Sequence, residues 1–541
     1  MRAVKYHTDH TCAFPAMKKT KIRLPLYLVL SGCCWTACTH SRKFDTPVEQ
    51  VFRLDSTTIG ISTVISGLNV PWEIAWGPDN QIWFTEQSGT VSKVDPHTGK
   101  RKTLLTIPGI YRQRTLGLLG MAVSPDKQKP YVVVDYTCKR KDSVIVSRLV
   151  RYTYTAATDT LTNPLVLLEV PGSTGHNGSR VAISPEGKVI WSTGDAARSS
   201  NAQDTASPNG KTLRLNLDGS VPEDNPLPGN PFWSRGHRNI QGLVFTPDGI
   251  LFSSEHGDAT DDEINHIQKG GNYGWPNVEG FCDRPDEKEY CRDTPIVEPL
   301  KAWTPTIAPS GIDYYHSGTI PEWNNALLLA TLKTASLRVL QLDQEKRRIL
   351  SEKIYFSKEF GRLRDICISP EGDIYIATSN RDWNPGPGFP KPQDDRILRI
   401  SRISKRDDLS RVDPQKAIPL PAATVKATAS DGVSVYNSYC ASCHKPNGKG
   451  VKGSFPPLLG SPVVTGDIAP LLQTVLSGKS TPNGKTGNRY DEQMPAFGFL
   501  DDRQLAGVLS YIRSAWGNNA GAVAPAEVKA ARKNSLNPSI K

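Results

Sequence analysis

One short pattern recurs six times between residues 59 and 403: a turn carrying proline and an acidic residue, then a run of apolar residues. It reads Gly77-Pro78-Asp79-Asn80 before Ile82-Trp83-Phe84, and Ser124-Pro125-Asp126 before residues 131–134. It returns as Ser184-Pro185-Glu186-Gly187 before Val189-Ile190-Trp191, and as Thr246-Pro247-Asp248-Gly249 before Ile250-Leu251-Phe252. A degenerate copy, Ile320-Pro321-Glu322, precedes Leu327-Leu328-Leu329, and a last one, Ser369-Pro370-Glu371-Gly372, precedes Ile374-Tyr375-Ile376. Proline presets one turn dihedral, and glycine or asparagine takes the position that bulkier residues avoid. The spacing leaves room for four short strands per unit, with some long loops. Six such units predict an all-β six-bladed propeller over 59–403, with a single large sandwich as the competing reading. Polar residues follow several of the repeated strands: Thr85-Glu86, Gly194-Asp195, Glu255-His256-Gly257-Asp258 and Ser379-Asn380-Arg381. A ring of such ends at one mouth of the channel makes a ligand site.

A separate signal is Cys440-Ala441-Ser442-Cys443-His444. A Cys-x-x-Cys-His run attaches a c-type haem: Cys440 and Cys443 add across its vinyl groups, and His444 becomes the proximal iron ligand. A zinc half-site or a redox pair is the alternative, but no second Cys/His pair lies nearby, as a zinc site requires. Methionine as the other axial ligand gives the higher potential of an electron carrier. Of the four methionines, Met494 is the one downstream of the motif, in Gln493-Met494-Pro495-Ala496-Phe497, ahead of the apolar run 505–512. That order resembles the class I bacterial cytochrome c domains, over residues 431–517, and implies an all-α C-terminal domain. Residues 404–430, first charged and then rich in Pro and Ala, read as a linker. The Ala/Gly/Lys stretch 518–541 reads as a disordered tail.

The 541 residues predict two or more domains. The formal charge of +11 is spread along the chain without basic runs or a nucleic-acid motif. It therefore points to an acidic small molecule or acidic partner, not to nucleic acid. Residues 1–38 read as an export signal: Lys18, Lys19, Lys21 and Arg23 precede the apolar residues 24–30, too few to span a bilayer. Leu30-Ser31-Gly32-Cys33 resembles a bacterial lipoprotein cleavage box with Cys33 lipidated. Cys34 and Cys38 are alternatives, a cleaved signal without lipid is another, and Met17 competes with Met1 as the start. Residues 39–58 then form an N-terminal linker. Export agrees with haem attachment outside the cytoplasm and with an oxidising compartment, where Cys282 and Cys291, bracketing a short charged loop, are expected to pair. Cys138 and Cys367 sit in or beside apolar runs and read as buried free thiols.

Several further stretches carry a resemblance. They are Gly175-His176-Asn177-Gly178-Ser179-Arg180, Lys211-Thr212-Leu213-Arg214-Leu215-Asn216-Leu217-Asp218-Gly219 and Gly236-His237-Arg238-Asn239-Ile240-Gln241-Gly242. With them stand Asp261-Asp262-Glu263-Ile264-Asn265, Gly271-Asn272-Tyr273-Gly274-Trp275-Pro276 and Thr306-Ile307-Ala308-Pro309-Ser310. In this order they resemble the soluble quinoprotein glucose dehydrogenases and aldose sugar dehydrogenases, over about residues 60–403. The resemblance implies a propeller that binds pyrroloquinoline quinone (PQQ) and calcium and oxidises the C1 hydroxyl of aldoses to lactones.

It also implies the site. Arg238, Asn239, Asp262, Thr306, Lys333, Arg362 and Arg364 fall on cofactor-binding positions. The physics agrees for the cations, because PQQ carries three carboxylates and arginine forks suit carboxylates. His176 falls on the base that takes the hydroxyl proton as hydride moves to the quinone, and a neutral imidazole suits that role. Arg238 would stabilise charge on the quinone oxygen, whereas His237 reads as structural. The carbonyls of Gly257 and Asp258 correspond to the calcium ligands, and Glu279, Phe281 and Asp283 to a second calcium. Asp258 stands where the glucose enzyme has proline, Thr115 where the family places Gln or Glu, and His256 where it places Gln. The Asp258 departure brings a carboxylate to the calcium site, and those at Thr115 and His256 bear on substrate identity more than on reaction class. The expected partners are an aldose, the chain's own haem, and a downstream cytochrome or respiratory chain. A sorbosone-like substrate and a non-catalytic carbohydrate-binding propeller are the alternatives.

Overall fold

A computed structural model describes residues 47–125, 130–403, 432–479 and 494–535. Cys33 and the linker 404–430 lie outside them. The strands form six antiparallel sheets, which rules out the single sandwich. Each repeated apolar run is the second strand of its sheet: Ile82–Glu86, Tyr131–Lys139, Val189–Thr193, Leu251–Glu255, Ala326–Thr331 and Ile374–Thr378. Sheets pack on both of their faces, so these strands are buried along most of their length and read as continuous apolar runs. The turns before them follow one geometry. Gly187, Gly249 and Gly372 donate from their amides to Ser184, Thr246 and Ser369 at 2.8–2.9 Å. Asn80 fills the same left-handed position at φ 59°.

The sixth sheet closes the ring with residues from both ends of the propeller. Thr58–Ile65 pairs with Ile397–Arg402, with Ile61 opposite Ile400. Gln50–Arg53 adds an outer strand, and Glu322 of the fifth sheet's turn accepts from the Ser56 and Thr57 amides at 2.7 Å. Burial works against ionisation of Glu322, but these donors outweigh it and hold its carboxyl at about 2. The stretch read as an N-terminal linker, 39–58, is thus structured from Gln50 onward. A strand here satisfies the free edge of Thr58–Ile65.

First strands line the channel. They carry Glu73, Arg180 (one residue ahead of Val181–Ile183) and Asp365 to the axis, where Arg180 Nη1 lies 2.5 Å from Glu73 and 2.8 Å from Asp365. Arg180 Nε donates to the Gln241 carbonyl at 2.9 Å. One buried guanidinium therefore bridges the first, third and sixth sheets and reaches the fourth.

The C-terminal domain is helical, as expected. Ile468–Ser477 and Asp502–Ser514 pack Leu472, Leu505 and Leu509 around Tyr436. Asp501 caps the second of these by accepting from the Arg503 and Gln504 amides at 2.8 Å. The tail read as disordered over 518–541 instead contains the helix Pro525–Ser535. Val528 is fully buried in the domain core, and that apolar anchor orders a segment whose composition alone pointed to disorder. The propeller and this domain belong to one compact unit. Among the described residues no helix is long and apolar enough to cross a membrane.

Cys282 and Cys291 are bonded. The segment between them is mostly the helix Pro285–Asp293, not a loop. Pro285 opens it, and Glu287 accepts from the Arg284 amide at 3.0 Å. Cys138 and Cys367 are buried free thiols, as read.

Candidate functional site

A cavity of about 1690 Å³ lies between the mouth of the propeller and the C-terminal domain. Cavities of roughly 300–1,000 Å³ usually hold one small ligand, so this one has room for more than one molecule. Its wall carries eight Lys or Arg side chains against three Asp. His176, Arg238, Asn239, Asp262, Thr306, Lys333, Arg362 and Arg364 all reach it.

His176 sits at φ 51° on the loop between the second sheet's outer strand, Thr160–Pro171, and the third sheet's first strand, Val181–Ile183. A Cβ on Gly194 would meet the His176 carbonyl at 2.0 Å, so the chains touch here because Gly194 has no side chain. His176 Nδ1 lies 2.9 Å from Asp195 Oδ1, and Asp195 Oδ2 accepts from Trp275 Nε1 at 2.9 Å. A carboxylate can only accept, so the ring proton is on Nδ1 and the Nε2 lone pair is free to act as a base. Burial opposes ionisation of Asp195, but His176 and then Arg238 outweigh it and hold its carboxyl below the usual range. His237 is fully buried between Ser234 Oγ (2.8 Å) and Glu255 Oε2 (2.9 Å). It is structural, as read.

Four cations converge on the cavity. Arg238 pairs with Asp258 at 2.7 Å and lies over the Trp275 ring at 5.4 Å. Arg362 and Arg364 share Asp382 Oδ2 at 3.1 and 2.8 Å. Lys333 Nζ donates to Thr306 Oγ1 at 2.8 Å. Burial lowers the proton affinity of Lys333, with Asp262 opposing. The Nε atoms of Arg238, Arg362 and Arg364 are buried without a protein partner. Unpaired guanidinium hydrogens in a cationic cavity fit an anionic, carboxylate-bearing cofactor.

Asp262 works through the backbone: its carboxylate accepts from the amides of Gly257 (2.9 Å), Ile307 (2.5 Å) and Ala308 (2.7 Å). Burial pushes it up to about 6. It thereby braces both the Gly257-Asp258 turn and the Thr306 strip. Asn239 accepts from the Gly178 amide at 3.1 Å. His256 Nε2 donates to the Pro309 carbonyl at 2.8 Å. Burial, then Arg238, push its pKa down to about 3, so the ring is neutral. Thr115 stands at the cavity wall, where its Oγ1 donates to the Thr174 carbonyl at 3.4 Å. Glu279 lies 3.2 Å from Thr260 Oγ1, and burial, aided by Asp258, pushes it up to about 7. The Phe281 carbonyl accepts from the Asp283 amide at 2.8 Å.

On the helical side, His444 Nδ1 donates to the Pro456 carbonyl at 2.9 Å, which leaves Nε2 for an iron atom. Met494 pairs its amide and carbonyl with Lys479 at 3.1 and 2.8 Å, and its side chain packs against the domain core. Cys443 and Ser442 reach the same cavity as His176 and Arg238. The two domains touch there directly: Lys333 Nζ donates to the Ser438 carbonyl at 2.8 Å, and Asn384 Nδ2 to the Ser442 carbonyl at 3.0 Å.

The roles of Asp195, Trp275 and Asp382 were not legible in the sequence. Asp195 and Asp382 do carry a signal, since each follows the polar end of a repeated strand. Asp382 comes one residue after Ser379-Asn380-Arg381. Trp275 falls in the motif at 271–276, but nothing local marks its bond to Asp195, which spans 80 residues.

Comparison with known proteins agrees with this geometry. The family model described as Glucose / Sorbosone dehydrogenase matches residues 68–384, and that of Cytochrome c matches 429–516. The chain is 33% identical to quinoprotein glucose dehydrogenase B of Acinetobacter calcoaceticus, over 63% of this chain and 90% of that protein. The structure of the PQQ-bound form of aldose sugar dehydrogenase from Streptomyces coelicolor superposes with a TM-score of 0.55 at 31% identity, covering 64% of this chain and 99% of that one. The helical domain is 36% identical to cytochrome c-552 of Thermus thermophilus, over 16% of this chain and 70% of that protein.

Proposed function

The chain belongs to the glucose/sorbosone dehydrogenase family and carries a cytochrome c domain, and from that premise we propose that it is an exported quinohaemoprotein that oxidises the C1 hydroxyl of an aldose to a lactone and passes the electrons to its own haem. The observation that carries this reading is a shared cavity: the His176–Asp195 pair and the arginine cage open onto the same space as Cys443 of the haem motif.

PQQ, when bound, supplies a two-electron hydride acceptor, and the haem a one-electron acceptor. The protein's own residues do the rest. Arg362, Arg364 and Lys333 hold the cofactor's carboxylates, with Asp382 fixing both guanidinium planes. His176 Nε2 takes the hydroxyl proton, while Asp195 holds the ring and stabilises its cation. Arg238, whose side chain lines the cavity, offers its guanidinium charge to developing negative charge. The Gly257 and Asp258 carbonyls take the cofactor calcium, and the Asp258 carboxylate stays with Arg238. Glu279, Phe281 and Asp283 are the proposed second calcium site. Each substrate yields two electrons and two protons. Cys440, Cys443 and His444 would hold the haem, which would supply a one-electron route to an external acceptor.

A second reading, a sorbosone-like alcohol or aldehyde as substrate, is favoured by Thr115 and His256 at the cavity wall. A purely carbohydrate-binding propeller has no need of the four converging cations. The deciding experiment reconstitutes the protein with PQQ and calcium and follows haem reduction anaerobically over a panel of sugars. A tethered partner stands at an effective concentration of order millimolar. Haem reduction should therefore proceed at a rate independent of protein concentration. A rate that scales with concentration would place transfer between molecules, and no reduction by any aldose would remove the assignment.

Replacing Met494 by alanine should lower the haem potential and slow haem reduction, with dye-coupled sugar oxidation unchanged. An unaltered potential would mean that another residue ligates the iron. Export with lipid attached at Cys33 is read from the sequence. Mass spectrometry of the native protein should find a diacylated Cys33 at the N-terminus, and an unmodified N-terminus near residue 39 would dismiss the anchor.

A further inference from the structure

Three consecutive residues join the cofactor cage to the haem motif. Asp382 holds Arg362 and Arg364. The next side chain, Trp383, packs its ring 5.7 Å from Phe455 of the cytochrome domain, and the Arg114 guanidinium lies 5.5 Å from it on the propeller side. Phe455 directly precedes Pro456, whose carbonyl holds His444 Nδ1. Asn384 then donates to the carbonyl of Ser442, the residue between Ala441 and the haem cysteine Cys443. Asp382 also accepts from the Trp383 amide at 2.5 Å, which ties the start of this stretch to the cage. The proline pair Pro385 and Pro387 follows, with dihedrals that proline restricts.

We propose that Trp383 and Asn384 form a docking latch that seats the haem-attachment turn on the propeller mouth and sets the rate of electron transfer from cofactor to haem. The proposal rests on the quinohaemoprotein reading above. A linker alone fixes how often the two domains meet, not how they are oriented. The latch supplies the orientation, because an aromatic contact and an amide–carbonyl bond constrain the turn at two points. Both residues act through contact with the cytochrome and not on the substrate, so they are positioning residues. The transfer itself is one electron at a time from the reduced cofactor to ferric haem. Protons leave to solvent, and an external one-electron acceptor protein reoxidises the iron between the two transfers.

The test uses the full-length holoprotein carrying W383L and N384L together. Three quantities are read: sugar oxidation coupled to a small diffusible dye, haem reduction in anaerobic stopped flow, and hydrogen exchange of amides 437–446. The expected result is dye-coupled turnover within about twofold of the parent, haem reduction slowed at least tenfold, and faster exchange in 437–446. W383F with Asn384 intact, which keeps an aromatic ring against Phe455, should restore most of the rate. Haem reduction at the parental rate overturns the proposal, whether or not exchange changes. If the parent oxidises no sugar with dye, the functional reading fails separately. Exchange in 437–446 then still decides whether the latch seats the turn, and an unchanged pattern overturns it.

Discussion

His176→Ala is expected to cut turnover by about a hundredfold or more, with PQQ still bound, since a positioned general base contributes roughly 10²–10⁴ to rate. In the proposed reaction the imidazole is the base, because Asp195 accepts from Nδ1 and leaves the Nε2 lone pair free for that role. The cofactor's carboxylates are assigned to Arg362, Arg364 and Lys333, so its affinity should change little. Asp195→Asn tests the same arrangement from behind. An amide can still meet Nδ1, but it no longer stabilises the imidazolium, and it can donate and so favour the wrong tautomer. Turnover should fall while binding holds. Near-normal turnover in His176→Ala would end the assignment, and a parallel loss of cofactor affinity would make His176 a binding residue instead.

Arg180→Met is expected to destabilise the propeller by about 3–5 kcal/mol, the usual cost of removing one partner from a buried ion pair. Arg180 is 2% exposed and sits between Glu73 and Asp365 on the axis. Burial already raises both carboxyls, and Arg180 is the main group opposing it. Without it, both acids take up protons in the folded state at pH values where the unfolded chain has released them. The folded state then binds more protons than the unfolded one, so stability falls as pH rises. The deficit should be smallest near pH 4, about the ordinary carboxylate value, and should grow from there towards neutral pH. Denaturant titration of the variant and parent at several pH values checks both size and sign. A deficit that shrinks as pH rises would show that the two carboxylates are not the groups Arg180 serves. Glu73→Gln with Asp365→Asn in the same chain should recover part of the loss.

Much of this protein is written locally. The Pro-acid turns and their apolar strands are contiguous in sequence, and each reports a turn geometry that needs no distant partner. That is why six copies were enough to predict the propeller. The haem motif is equally local, because both thiols and the imidazole lie within five residues. Position after a repeated strand also placed Gly194-Asp195 and Glu255-His256-Gly257-Asp258 at the mouth.

What the sequence left undetermined lies in pairings between distant residues. Gln50–Arg53 looked like linker because its partner strand pairs in turn with Ile397–Arg402, more than 300 residues away. Helix Pro525–Ser535 looked disordered because its composition is polar and its buried anchor, Val528, gives no periodic signal. The roles of Asp195, Asp382 and Arg180 depend on which charges the ring closure brings within 3 Å, and Arg180 meets Asp365 across 185 residues. The sequence by itself determined the propeller, the cytochrome c domain and the family each belongs to. Tertiary structure alone decided that the two sites share one cavity. Trp383 meets Phe455 and Asn384 meets Ser442 through contacts that no local spacing encodes, because they exist only once both domains have folded.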